Sequence, residues 1–67
     1  MRRLGLSDRE AEVLRLLGSG STNAAIGEQL NISSGTVKKH LDSIYRKLSV
    51  SGRVQAVAMS IDLLAKS

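Results

Sequence analysis

A short apolar stripe in the middle of the chain constrains the fold more than any other feature. Val37, Leu41, Ile44 and Leu48 follow one another at spacings of four, three and four residues. At about 100° per residue these side chains fall on one side of a helix, and we expect them to form a core face. Ser33 is the expected N-cap, so the pattern predicts a helix from there to about Leu48.

Two shorter helices are predicted before this one. Ser7 and Glu10 form a capping box at the start of the first helix, which we place over residues 8–18, before a glycine-serine-glycine break. Ser21 or Thr22 caps a second helix of about two turns, which ends near residue 31. Only a few residues separate the second helix from the third, and such a short link is typical of a helix-turn-helix pair.

A fourth helix is expected from Ser51 or Gly52 to about Lys66, which makes the fold class all-α with four helices. This last helix is apolar around most of its circumference. A domain of this size has a single core, and one apolar stripe is enough to fill it. One stripe takes Val57 and Leu64, with Ala56 and Ser60 beside them, and the other takes Val54, Ala58, Ile61 and Ala65. The stripe that the core does not use predicts a surface for a two-fold dimer.

The positive charge of the chain is concentrated on the third helix and just after it. Between Ser34 and Arg53 five basic residues stand against the single acid Asp42, while the bases and acids elsewhere cancel. The net charge of +4 therefore belongs to this segment. A neutral scaffold with one basic helix is typical of proteins that bind a phosphate backbone. The single aromatic residue, Tyr45, disfavours recognition by base stacking, so we expect duplex DNA as the partner.

Length and composition exclude several other classes of protein. We expect one domain over residues 1–67, since chains this short bury only about 60% of their unfolded surface. No apolar run approaches the roughly 18 residues that cross a bilayer, and no signal peptide is recognisable, so we expect a cytoplasmic protein. The chain has no cysteine and one histidine, and its N-terminal acids suit a capped first turn. We therefore expect no enzyme activity, no catalytic residue, no metal and no cofactor.

Several segments of the chain share their register with one known family. They are Leu6-Ser7-x-Arg9-Glu10-x-Glu12-Val13-Leu14, Thr36-Val37-Lys38-x-His40, Ile44-x-x-Lys47-Leu48-x-Val50 and Arg53-x-x-Ala56-Val57. On these residues the chain resembles the LuxR-type (GerE-type) helix-turn-helix domain of bacterial transcription regulators. The resemblance covers roughly residues 4–65 without a gap. Such domains stand at the C-terminus of many response regulators and quorum-sensing receptors.

The resemblance implies a role for each helix. The third helix would be the recognition helix in the major groove, the second would brace it, and the fourth would form a homodimer that binds two half-sites. Ala56, Val57 and Ser60 would then belong to the core, which leaves the stripe of Val54, Ala58, Ile61 and Ala65 for the dimer. The chain would then be the effector domain of a larger transcription regulator, with RNA polymerase as a further candidate partner. The positions that match DNA contacts of the family are Asn23, Ser33, Thr36, Lys38, Lys39, Asp42 and Lys47, and the basic helix itself adds Ser34 and Arg46.

Within this set, position along the helix predicts different roles. Lys38 and Lys39 lie in the N-terminal half, which enters the major groove in helix-turn-helix docking, so we expect them to read bases. Lys47 lies further along and is expected to contact a phosphate. Asp42 has two interpretations: it accepts from the amino group of cytosine, or it pairs with Lys38 or Arg46 four residues away.

The alternative function is a protein-interaction module whose basic helix meets an acidic partner.

One departure from the family pattern also has an expected consequence for stability. Gly27 stands where the family has alanine, which should destabilise the second helix by about 0.5–1 kcal/mol.

Overall fold

Four helices account for most of the residues that the structure describes. The computed structural model describes the backbone of residues 5–65 and the side chains of residues 5–62. No strand occurs in that part of the chain, which confirms the predicted all-α class. The helices are α1 (Asp8–Gly18), α2 (Asn23–Leu30), α3 (Ser34–Leu48) and α4 (Arg53–Ala65). The predicted end of α4 near Lys66 lies outside the described residues.

The first three helices begin at side-chain caps. The Ser7 hydroxyl accepts a hydrogen bond from the Glu10 amide at 3.1 Å, and Glu10 Oε1 accepts from the Ser7 amide at 2.8 Å, so the capping box is confirmed. Thr22, rather than Ser21, caps α2, and Ser33 caps α3; each accepts from the amide three residues further on at 3.1 Å. These bonds satisfy amides that lack a partner within the helix, which fixes where each helix starts.

Left-handed residues end α2 and α3. Asn31 has φ 58° and Ser49 has φ 56°, and the amide of each donates back to carbonyls of the preceding turn. Asn31 agrees with the predicted exit, since asparagine tolerates this region. Ser49 is a less usual choice, because its Cβ is strained in the left-handed conformation.

The hydrophobic core is centred on α1, which packs against each of the other three helices. Val13, Leu14 and Leu17 of α1 are fully buried, and they meet the predicted stripe of α3, whose side chains are also buried. The remaining buried apolar residues of the described part are Leu6, Leu16, Ile26 and Ala56. The arrangement leaves the opposite side of α3 facing outward.

Gly27 allows a close approach between α2 and the turn that follows it. A Cβ at this position would lie 2.6 Å from the carbonyl oxygen of Ile32, which is far inside van der Waals contact. The Ile32 amide also donates to the Gly27 carbonyl at 2.9 Å. The glycine therefore has a packing role in the turn, in addition to its expected cost in helix propensity.

Gly52 directly precedes α4, whose first residue, Arg53, follows the predicted start at Ser51 or Gly52 by one position. Its carbonyl accepts from the Ala56 amide at 3.0 Å, and the Gln55 side chain accepts from the Ser51 amide at 2.8 Å. Gln55 thus reaches back to an amide that precedes α4, as the Glu10 carboxylate reaches back to the Ser7 amide at α1.

Candidate nucleic-acid interface

α3 has one buried and one exposed face, as its periodicity predicts. Opposite the apolar stripe, five charged side chains are exposed to solvent. We call this surface the basic face; it consists of Lys38, Lys39, Asp42, Arg46 and Lys47. Four of its five residues carry positive charge, so the helix presents a cationic surface on the side that no other helix covers.

The start of α3 adds uncharged hydrogen-bonding groups to the basic face. The Ser33 hydroxyl accepts from the Thr36 amide and also lies 2.9 Å from the Thr36 hydroxyl. The Val37 amide donates to the Ser33 carbonyl at 3.0 Å. The amides of Ser34 and Gly35, by contrast, belong to the first turn, where no intrahelical acceptor exists. Both residues are exposed. These amides and the positive end of the helix dipole favour an anion at this position.

Lys38 and Asp42 form an ion pair one helical turn apart. Lys38 Nζ lies 3.4 Å from Asp42 Oδ2, which is the intrahelical alternative predicted for Asp42. The two side chains are 72% and 57% exposed, so solvent screens the pair and its contribution to stability is small. A pair this weak is readily exchanged for contacts with a ligand.

Lys47 is held by a second ion pair, which connects α3 to α1. Its ammonium lies 2.7 Å from Glu10 Oε1. The Glu10 side chain is only 7% exposed, whereas that of Lys47 is 36% exposed. An ammonium has three N–H donors, so Lys47 can bind Glu10 and still offer donors to solvent.

The environment of Glu10 strongly favours its charged form. Burial alone raises the pKa of this carboxyl group, but several interactions outweigh it. Hydrogen bonds from Lys47, from the Ser43 hydroxyl and from the Ser7 amide, together with the charge of Lys47, lower the pKa from 4.5 to about 2. Glu10 is therefore ionised at neutral pH, and its contact with Lys47 fixes the C-terminal end of α3 against the first turn of α1.

Lys39 and Arg46 differ from their neighbours on the basic face. Both are exposed, and within the described part of the chain neither contacts an acidic side chain. Seven residues separate them, which is about two turns or roughly 10 Å along one face of the helix. Neither of them forms an ion pair among the described residues, so both charges are available to an external anion.

Asn23, the one predicted contact residue outside α3 and its cap, lies at the start of α2. It is half-buried and contacts Arg53, the first residue of α4. Arg53 Nη1 donates to Asn23 Oδ1 at 2.9 Å, and Nη2 donates to the carbonyl oxygen of Ser21 at 2.7 Å. Arg53 therefore connects the beginning of α4 to the loop that leads into α2.

α4 divides into a buried and an exposed face where its side chains are described. Ala56 and Ser60 are fully buried, and the Ser60 hydroxyl donates to the Val57 carbonyl at 2.7 Å. Val54 is 84% exposed and Ile61 is 62% exposed, and Ala58 beside them is exposed as well. We call these three residues the α4 outer face. The side chain of Ala65, the fourth residue predicted for this surface, lies outside the described side chains.

Metal sites and membrane-spanning helices are both absent from the residues that the structure describes. These residues include no group of histidine, cysteine, aspartate and glutamate side chains that would hold a metal ion. None of the described helices is long and apolar enough to cross a membrane.

Comparison with known families agrees with this arrangement of helices. Residues 4–60 match the family described as bacterial regulatory proteins, luxR family. The chain belongs to this family. Its helix-turn-helix pair is accordingly that of a luxR-type domain, and the family comprises transcription regulators and not enzymes.

Individual relatives support the assignment to the luxR family over most of the chain. YhjB of Escherichia coli (strain K12) is 54% identical over 54 residues, which are 81% of this chain and 27% of YhjB. The transcriptional regulatory protein DegU of Brevibacillus brevis is 50% identical over 56 residues, 84% of this chain and 24% of DegU. The transcriptional regulatory protein LnrK of Bacillus subtilis (strain 168) is 48% identical over 58 residues, 87% of this chain and 26% of LnrK. The chain thus spans about a quarter of the length of these relatives.

Two residues of this luxR-type domain bind predicted contact residues, although the sequence does not predict either pairing. The capping pattern predicts only a local role for Glu10, yet Glu10 also binds Lys47, 37 residues away. Arg53 adds to the positive charge of its segment, yet it binds Asn23, 30 residues away. Neither pairing has a local sequence signal, because each depends on how the helices pack.

Proposed function

We propose that this luxR-type domain binds double-stranded DNA, with α3 in the major groove. One observation carries the proposal: the basic face lies opposite the buried stripe of α3, and its Lys39 and Arg46 have no acidic partner among the described residues. A helix of this kind, projecting from a helix-turn-helix pair, has the size and charge to enter the groove.

The proposed contacts differ along α3. Lys38 and Lys39, near the N-terminal end, read base edges, and the exposed amides at Ser34 and Gly35 bind a phosphate. Arg46 and Lys47 contact the backbone further along the helix. Asp42 leaves its pair with Lys38 on binding and accepts from a cytosine amino group. The other proposed contacts with the DNA backbone are Asn23, Ser33 and Thr36.

The second part of the proposal is a homodimer through the α4 outer face. Val54 and Ile61 are large apolar side chains that are mostly exposed, seven residues apart on one side of the helix. Burying such a surface against its own copy gives a two-fold dimer, which places two α3 helices on two half-sites. Ala58 lies between them and is small enough for close helix contact.

The domain is proposed to work as one part of a larger regulator. Its named relatives are about four times as long as the matching segment, and two of them are transcriptional regulatory proteins. A regulator of this kind acts on chromosomal DNA in the bacterial cytoplasm, and RNA polymerase is a further proposed partner of the DNA-bound domain.

A salt titration tests DNA binding directly. Affinity of the chain for a labelled duplex is measured by fluorescence anisotropy at several salt concentrations. Binding to phosphates predicts a linear fall of log K with log[salt], with a slope of about −0.9 per neutralised phosphate. Lys39→Ala and Arg46→Ala should each weaken binding. Arg15→Ala removes the same charge from the exposed side of α1 and serves as the matched control.

The control variant decides whether net charge or a defined surface is responsible. If Arg15→Ala weakens binding as much as Arg46→Ala, the basic face has no special role. If the unaltered chain shows no salt-dependent binding to duplex DNA but binds an acidic polypeptide, the basic face belongs to a protein-interaction module and the proposal is wrong.

A further inference from the structure

Arg53 makes a forked contact between helices that are distant in sequence. It is the first residue of α4, yet both of its terminal nitrogens reach the chain at the start of α2. Nη1 lies 2.9 Å from Asn23 Oδ1, and Nη2 lies 2.7 Å from the Ser21 carbonyl oxygen. The planar guanidinium group holds a side chain and a backbone group in a fixed relation, which an ammonium cannot do in the same way.

The chemistry of arginine determines how the Asn23 side chain is turned. A guanidinium group has donors only, so the Asn23 atom that faces it must be the oxygen. The amide nitrogen Nδ2 must then point away from Arg53. Within the described residues no acceptor contacts Nδ2, although it carries two N–H donors. Asn23 therefore presents donors, and not an acceptor, to whatever approaches the start of α2.

We propose that Arg53 is a positioning residue for recognition of the DNA backbone: by binding Oδ1 of Asn23, it aims Nδ2 at a phosphate oxygen. This inference rests on the proposed function. A phosphate oxygen is an acceptor only, so an asparagine turned the other way would repel it. Arg53 also holds the Ser21 carbonyl, which fixes the loop beside the Thr22 cap and so limits movement of the whole α2 start.

The contact also connects two proposed functions. Arg53 belongs to α4, whose outer face is the proposed dimer surface, and Asn23 belongs to α2. A change in the direction of α4 therefore changes the position of the Asn23 donor. Arg53 thus sets both the orientation of each half of the dimer and its contact with the DNA backbone.

Asn23→Asp separates a donor role from a structural role. The aspartate keeps an oxygen towards Arg53 and gains a charge, so the contact with Arg53 is retained or strengthened. The outward N–H groups, however, are replaced by a second oxygen. We expect unchanged or higher thermal stability, with affinity lower by about tenfold on every duplex. Gln29→Glu makes the same change of charge on the exposed side of α2 and should lower affinity by less than about threefold.

Arg53→Lys, made in the unaltered chain and in Asn23→Ala, tests whether Arg53 acts through Asn23. Lysine keeps the positive charge but cannot bind Asn23 and the Ser21 carbonyl with two nitrogens in one plane. We expect Arg53→Lys to lower DNA affinity clearly in the unaltered chain and much less in the Asn23→Ala variant. Thermal unfolding is recorded for all four proteins. Equal losses in both backgrounds would show that Arg53 acts independently of Asn23 and overturn the inference.

The remaining outcomes are also decisive. If Asn23→Asp loses no more affinity than Gln29→Glu, Asn23 donates to no phosphate and this inference alone is wrong. If the unaltered chain shows no salt-dependent binding to duplex DNA, the proposed function fails and the inference fails with it.

Discussion

Lys47 and Glu10 form an ion pair in which the ammonium lies 2.7 Å from Oε1, joining the C-terminal end of α3 to the first turn of α1. The same oxygen accepts from the Ser7 amide at 2.8 Å. One carboxylate therefore completes the cap of α1 and anchors the helix that carries the basic face.

The stability of the domain should depend on pH through Glu10. Its pKa is lowered from 4.5 to about 2 in the folded state, chiefly because hydrogen bonds from Lys47 and Ser43 outweigh the effect of burial. Because the pKa of Glu10 is lower in the folded than in the unfolded state, its carboxylate stabilises the fold at pH values above about 4.5. That contribution should disappear as the pH falls from about 4.5 to about 2, with a loss on the order of 2 kcal/mol. Urea unfolding at pH 7, 4 and 2.5 measures it.

Two variants identify the carboxyl group responsible for this pH dependence. Glu10→Gln should be less stable at pH 7 and should lose less stability on acidification. Glu12→Gln changes an exposed acid of the same helix and should leave most of the pH dependence in place. Equal behaviour of the two variants would contradict the role assigned to Glu10.

Lys39 and Lys47 should affect DNA binding differently. Lys39→Ala should change the preferred base at one operator position, with a loss of about 1–3 kcal/mol there. Lys47→Ala should weaken all duplexes alike and reduce the salt slope by about one. It should also lower the free energy of unfolding by about 1–3 kcal/mol, because Glu10 loses its partner. Binding to a set of single-base variants, alongside urea unfolding, tests both expectations; uniform losses for both variants would mean that neither lysine reads bases.

Asp42 is the only acid on the basic face, and its removal should affect specificity. Asp42→Asn frees Lys38 from its ion pair and removes repulsion from phosphates, so affinity for random duplexes should rise. The ratio of specific to non-specific affinity should fall, because the cytosine acceptor is weakened. An unchanged or higher ratio would show that Asp42 only pairs with Lys38.

Ile61→Glu should prevent self-association without unfolding the domain. Ile61 is 62% exposed, so a charge is tolerated in the monomer, but two like charges would meet across a two-fold axis. Affinity should fall steeply for two-site DNA and little for a half-site. Gln55→Glu adds a charge to the exposed polar side of α4 and is the control. Sedimentation with and without a palindromic duplex measures association, and loss of the helical circular dichroism signal would place Ile61 in the core.

Ser49→Gly should stabilise the domain. Ser49 adopts φ 56°, which strains a side chain with a Cβ, and it is exposed. Relief of this strain should exceed the entropy that glycine adds to the unfolded chain, giving a gain of about 0.5 kcal/mol. Ser34→Gly, at the first position of α3, relieves no such strain and should lower the unfolding midpoint. A fall in the midpoint for Ser49→Gly would contradict the expectation.

The sequence predicted the helices well because their signals are local. Ser7, Thr22 and Ser33 each cap an amide three residues away, and the stripe of α3 repeats within four turns. An exposed apolar stripe on α4 was also predictable, because this helix has more apolar surface than one core accepts; that the stripe contains Val54 and Ile61 is implied by the resemblance to the luxR family. These features need no knowledge of tertiary packing.

Contacts between helices were not predictable in the same way. Arg53 meets Asn23 across 30 residues, and no periodicity links the two positions. Gly27 was expected only to weaken α2, because the nearness of the Ile32 carbonyl depends on the angle of the turn. The expectation for Lys47 as a phosphate contact omitted Glu10 for the same reason, and that contact stays a prediction.

The packing of α4 on α1 has a consequence for synthesis of the protein. α1 is made first and α4 last, and Ala56 and Ser60 are fully buried in the finished fold. A nascent chain that has reached only residue 52 contains the helix-turn-helix pair but lacks the helix that covers this side of α1. The side of α1 that α4 covers stays exposed to water until α4 has left the ribosome, so the core is completed only after that helix has emerged.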